Sequence, residues 1–234
     1  CSSDLGIMKL IFEYDIPSLE GEKIAGLSTV YTVYGMGDII VSTSFNKVSE
    51  RIPEIPRMGM QMQLPVEYHN LTWYGRGPHE NYNDRYTAAE VGLYESSVAD
   101  QYVPYIRPQE NGYKTETRWL TLTDDEGNGL LVTGRPLISF AALHLLHDDF
   151  ESPGKLSGYR RDAKSANVHT SDISPRDLVK LNIDLGQMGV GGDNSWGAMT
   201  HPQYRFTEQK YSYSFRLRPI GGDDDVIRLA RQVF

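Results

Sequence analysis

"YSYSFRLR", residues 211–218, alternates without a break. Tyr211, Tyr213, Phe215 and Leu217 fall on one face of an extended chain, and Ser212, Ser214, Arg216 and Arg218 on the other. Successive side chains of a strand point to opposite sides, so this period of two marks a half-buried strand. Working outward, "LSTVYTVY" (27–34) and "IIVSTSF" (39–45) flank "GMGD", whose glycines suit a tight turn. Residues 27–45 therefore read as a hairpin. "WLTLTD" (119–124) and "GLLVTG" (129–134) flank "DEGN" in the same way and give a second hairpin. "MGMQMQLP" (58–65), "LTWYG" (71–75), "LISFAAL" (137–143) and "VKLNIDL" (179–185) add short strands. Only "TAAEVGLYESS" (87–97) and "DDDVIRLARQVF" (223–234) hint at helix, the second with acidic residues where a helix dipole favours them. Many short strands between Gly/Pro turns predict an all-β fold, an antiparallel sandwich or barrel. Residues 1–219 read as one domain and 220–234 as a tail carrying a short helix.

The 234 residues can bury roughly 70–75% of their unfolded surface, so a full core needs no staples. A net charge of −8 speaks against nucleic acid or an anionic membrane as partner, because no basic stripe is present to meet phosphates. No apolar run approaches the ~20 residues of a membrane-spanning helix. A single cysteine, Cys1, excludes an intrachain disulfide framework.

The chemistry-bearing candidates lie in turns. Glu80 in "GPHENYNDR" and Glu110 in "RPQENGY" sit among Asn, Tyr and Arg. Two carboxyl groups serve a glycosidase only when ~5–9.5 Å apart across the scissile bond. The plainer expectation is that each holds its loop, paired with Arg85, Arg107 or Arg118, while Asn81 and Asn111 bond turn backbone. His144 and His147 in "LHLLH" would share a helix face, but a zinc site needs three or four convergent ligands. "DDEGNG" is acidic like a calcium loop yet lacks the ligand series, and reads as a hairpin turn.

"MGVGGDNSWG" (188–197) has the glycines of a phosphate loop but no Lys, and Asp193 would repel an anion. It ends in Trp196. A flat indole suits the C–H face of a pyranose, and Asp193 and Asn194 suit sugar hydroxyls. Gly189, Gly191 and Gly192 are expected to supply backbone conformations closed to other residues.

Taken together, "WYGRGPHENYNDR" (73–85), "YVPYIRPQENGYKTETRW" (102–119) and "MGVGGDNSWG" resemble the C-terminal, small-chain domain of the bacterial family 2 β-galactosidases, over about residues 5–219. The resemblance implies an antiparallel supersandwich similar to galactose mutarotase. It also implies that Trp196 reaches from this domain into the active site of a catalytic barrel and stacks on a β-galactoside such as lactose. The family's opening "RAPTDND"-like segment and the barrel with its two catalytic glutamates have no counterpart here, and neither Glu80 nor Glu110 matches them. The chain is thus expected to be a non-catalytic piece of a larger enzyme, with Cys1 internal to it. It implies no cofactor in this chain, with magnesium and sodium ions belonging to the parent; the choice between a cytoplasmic and a periplasmic compartment stays open. Two other readings stay open. One is a stand-alone mutarotase-like epimerase using Glu110 and His144 as base and acid; the other is a carbohydrate-binding or structural module.

Overall fold

The structure, a computed structural model, describes residues 6–49, 52, 54–106, 109–150, 169–194 and 196–232. Ten strands dominate it: β1 (Ile7–Pro17), β2 (Lys23–Tyr34), β3 (Ile39–Lys47), β4 (Arg57–Leu64), β5 (Asn70–Gly77), β6 (Glu90–Ser97), β7 (Lys114–Thr123), β8 (Gly129–Leu143), β9 (Val179–Gln187) and β10 (Lys210–Ile220). One short helix, α1 (Val226–Ala230), follows them. Every pairing is antiparallel, in the order β1-β2-β3-β10-β8-β7-β5-β6, with β4 and β9 branching from β8.

Strand β8 makes this a sandwich. Its first half, Gly129–Arg135, pairs with β10, and its second, Ser139–Leu143, pairs with β9. The chain thereby carries β9 and β4 off the main sheet and over it. Val179, Leu181, Ile183 and Met58 from that leaf meet Val41, Leu120, Leu122 and Phe215 from the main sheet in one core. The two strands read from "GLLVTG" and "LISFAAL" are therefore a single bent one. The turn before it is as expected: Asp124 Oδ1 accepts from the Glu126 and Asn128 amides at 3.0 and 2.8 Å.

In β10 the alternation holds on its core face, where Tyr213, Phe215 and Leu217 are buried. Its other face departs from expectation at Arg216, which is 1% exposed. Helix α1 covers it there, and Arg216 donates to the Leu229 carbonyl at 2.5 Å. Asp225 caps that helix by accepting from the Arg228 amide at 3.0 Å.

"TAAEVGLYESS" is not helical. Residues 90–97 form β6, the edge strand beside β5. Ala89 is buried and Tyr94 lies against Trp73, with ring centroids 5.3 Å apart. Sheet pairing and this packing override the helix propensity of Ala, Glu and Leu, which is worth only a few tenths of a kcal/mol per residue. Among the described residues no helix is long and apolar enough to cross a membrane.

Candidate functional site

The three sequence stretches that stand out as motifs converge. Loop 78–89 leaves β5, loop 98–113 leads into β7, and loop 188–209 follows β9. Glu80 binds the first to the second. Its carboxylate, 8% exposed, accepts from Arg85 at 2.6 Å, from the Gly112 amide at 2.9 Å, from Tyr82 at 3.3 Å and from the Tyr105 hydroxyl. Asn81 is fully buried and accepts from the Thr115 amide at 2.9 Å, while Asn111 donates to the Val103 carbonyl at 2.9 Å. Burial and the Glu80 charge push the Tyr82 phenol well up, so it stays a neutral donor.

Asp84 joins the first loop to the third. It accepts from the Gly191 amide at 2.8 Å and from the Thr200 hydroxyl at 3.4 Å. At the loop's far end Arg205 donates to the Thr200 carbonyl at 2.7 Å and pairs with Glu54 at 3.2 Å. Between these anchors Trp196 is 94% exposed. Asn194 Oδ1 accepts from the Trp196 amide at 2.8 Å, a side-chain-closed turn, and Gly197 follows in the left-handed region at φ 97°.

The glycines before the tryptophan work otherwise than expected: none of Gly189, Gly191 and Gly192 has a positive φ. Two of them permit close approach instead. A Cβ on Gly189 would lie 2.4 Å from the Thr200 hydroxyl, and one on Gly192 2.1 Å from the Ala198 carbonyl. Asp193 pairs with His201 at 2.8 Å, both well exposed. Asp84, Asp193, Thr200, His201 and Tyr204 line a hollow of about 230 Å³ at the loop's foot.

Glu110 belongs to a different cluster. It pairs with Arg57 and, at 3.0 Å, with His147; Arg57 also pairs with Asp184 at 3.1 Å, and Tyr113 donates to Asp184 at 3.0 Å. Burial would raise the Glu110 carboxyl, but the His147 hydrogen bond and the Arg57 charge outweigh it and hold the group at about 2. Burial lifts Asp184 to about 7 despite Arg57, and lowers Lys180 to about 8 despite Glu110. The sequence concealed this cluster. Lys180, Asn182 and Asp184 alternate with apolar residues in "VKLNIDL", which looks like a solvated strand face, yet all three are buried under the loops.

Other candidates fall elsewhere. His144 turns Nδ1 to the Leu178 carbonyl at 2.7 Å, so the histidine beside Glu110 is His147. Arg118 meets no carboxylate among the described residues; it donates to the Glu116 carbonyl at 2.5 Å and lies 5.7 Å from the Tyr74 ring centroid. Arg107 and Cys1 lie outside the described residues. Among the described residues no three His, Cys, Asp or Glu side chains are grouped as a metal ion requires.

An all-β domain that braces an exposed indole between three interlocked loops is thus the class defined by fold and site. A family model described as beta galactosidase small chain matches residues 8–217, and the chain belongs to that family. It is 40% identical to a β-galactosidase of Priestia megaterium over 85% of its own length and 18% of that protein's. It is 34% identical to a β-galactosidase of Vibrio cholerae over 80% of its length and 16% of that protein's. The chain therefore spans less than a fifth of the length of these relatives. A galactose mutarotase-related enzyme of Lactobacillus acidophilus aligns with 95% of the chain and 73% of its own, at 11% identity and a TM-score of 0.45.

Proposed function

We propose that this chain is the non-catalytic C-terminal domain of a β-galactosidase, and that it completes the substrate site of a catalytic barrel by presenting Trp196 as a platform for the sugar. One observation carries the reading. An indole that is 94% exposed costs a lone domain apolar contact with water, and here it sits on a loop held at both ends rather than on a loose tip. A partner surface that covers it explains both its exposure and the bracing. A pyranose offers an indole its apolar C–H face, and Asp193 and the Asn194 amide group lie beside it for hydroxyls. Lactose and similar β-galactosides are the substrates that follow from the relatives.

The epimerase alternative is the weaker one. A mutarotase needs an acid and a base on opposite sides of the anomeric oxygen. Glu110 is instead held by Arg57 and His147, and His144, the other member of the expected pair, turns its Nδ1 to the Leu178 carbonyl at 2.7 Å. The test is a structure of the barrel-containing enzyme with a bound galactoside. An indole ring stacked about 4 Å from the sugar supports the proposal, and an indole packed only against protein overturns it.

A further inference from the structure

On the outer face of the sheet, Leu93 of β6, Tyr74 of β5, Trp119 of β7 and Thr133 of β8 stand in one cross-strand row. Two features turn this row into a pocket. Helix α1 seats Leu229 against Trp119, Leu131 and Ile220, which raises a wall along one side. On the other side β8 bulges. Trp119 and Thr117 of β7 oppose Thr133 and Ile138, two positions against five, so residues 134–137 have no partner on β7, and Gly134 and Pro136 line the pocket. The pocket measures about 480 Å³, within the ~300–1,000 Å³ of small-ligand sites.

Its chemistry is two-sided. Trp119, 8% exposed, forms the floor, and Tyr74, Leu93 and Ile227 supply further apolar surface. Arg118 and Arg231 also line the pocket, and among the described residues no carboxylate does. Neither arginine forms an ion pair among the described residues, in a chain whose net charge is −8. A local positive pair over an apolar floor, on an acidic protein, selects an anion with an apolar body. None of the lining residues belongs to the loops around Glu80, Glu110 or Trp196, so the site is separate from the one proposed above.

We infer that this pocket binds a small carboxylate carrying an aromatic or branched apolar group, with the apolar body on Trp119, Tyr74 and Leu93 and the carboxylate between Arg118 and Arg231.

The experiment is a titration of the ¹⁵N-labelled chain with 3-phenylpropionate, followed by amide shifts, with 3-phenylpropan-1-ol and acetate as controls. The expected result is saturable shifts confined to the 74, 93, 118–119 and 227–231 regions, with Kd on the order of 1 mM for a ligand of this size. The alcohol lacks the charge and acetate the ring, so each should bind at least tenfold more weakly. Arg231→Ala should weaken binding about fivefold. Leu93→Glu, at a residue 53% exposed and so tolerant of change, should abolish it by placing a carboxylate in the anion's way. Shifts that never saturate, shifts elsewhere on the chain, equal binding of the alcohol, or unaltered binding by Leu93→Glu would each overturn the inference.

Discussion

The carboxylate of Asp84 accepts the Gly191 amide hydrogen at 2.8 Å and so fastens the loop after β5 to the loop that carries Trp196. Gly189 makes the approach possible, since a Cβ there would sit 2.5 Å from Asp84 Oδ2. Asp84→Ala should therefore release the tryptophan loop while leaving the sheet alone. A hydrogen bond to a charged group contributes about 1.5–3 kcal/mol. The expected outcome is faster hydrogen exchange at Gly191 and its neighbours, with exchange in β7 and β9 unchanged. Uniformly faster exchange would mean that Asp84 stabilises the whole domain.

The Glu110 cluster sets how stability depends on pH. Glu110 is held at about 2 against an ordinary 4.5, so the folded state releases its proton more readily than the unfolded one. Its contribution is complete above pH 4.5 and is lost as pH falls toward 2. Asp184 works in the opposite sense: raised to about 7 from 3.8, it adds stability at low pH that is lost as pH rises through 7. Denaturant unfolding between pH 2 and 8 should show both limbs. Glu110→Gln should flatten the acid one, worth at most about 3 kcal/mol for a shift of this size. Asp184→Asn should flatten the other. Limbs that persist in both variants would place the titrating groups elsewhere.

How much of this was legible beforehand differs from strand to strand. The alternations in β3, β7 and β10 announce the all-β class. Strand β3 has one face on the core and one toward water, and β10 does so except where α1 covers Arg216. Strand β7 is covered on both faces, by Leu120 and Leu122 on one and Trp119 and Thr121 on the other. Strand β1 alternates too, with Met8, Leu10, Phe12, Tyr14 and Ile16 against Lys9, Glu13 and Asp15. In the fold, however, both of its faces are exposed, Ile7 and Ile11 on one and Met8, Leu10, Phe12 and Tyr14 on the other. Residues 90–97 misled because Val91 and Leu93 on the outer face and Tyr94 on the inner blur the period of two. The exposed tryptophan was readable as a motif. Its bracing was not, because Asp84 and Gly191 lie 107 positions apart and nothing local links them.

Glu80 and Glu110 should not make this chain a hydrolase. Glycoside hydrolysis requires one carboxylate free to attack or activate water and another that holds a proton for the leaving group. Glu80 is occupied by four donors, and Glu110, at about 2, carries no proton to give near neutral pH. The purified chain should leave a chromogenic β-galactoside intact. Activity that copurifies with it and disappears in Glu80→Gln or Glu110→Gln would reverse the assignment. Glu80→Gln should instead lower thermal stability, since it replaces a charge that holds two loops together.

The last expectation concerns Trp196. The indole is exposed and packs on no core residue, so its removal should leave unfolding of the domain within about 0.5 kcal/mol of the parent. In an enzyme that contains the barrel, losing a stacked aromatic face should cost roughly 1–2 kcal/mol of sugar binding, or about tenfold in affinity. Trp196→Phe, which keeps a flat ring, should recover part of that loss, whereas Trp196→Leu, apolar but not flat, should not. The comparison is made on KM and kcat for lactose, together with the thermal midpoint of each variant. Variants that bind and turn over lactose as the parent does would show the indole to be mere surface. A Trp196→Ala domain that unfolds early would show it to be part of a core.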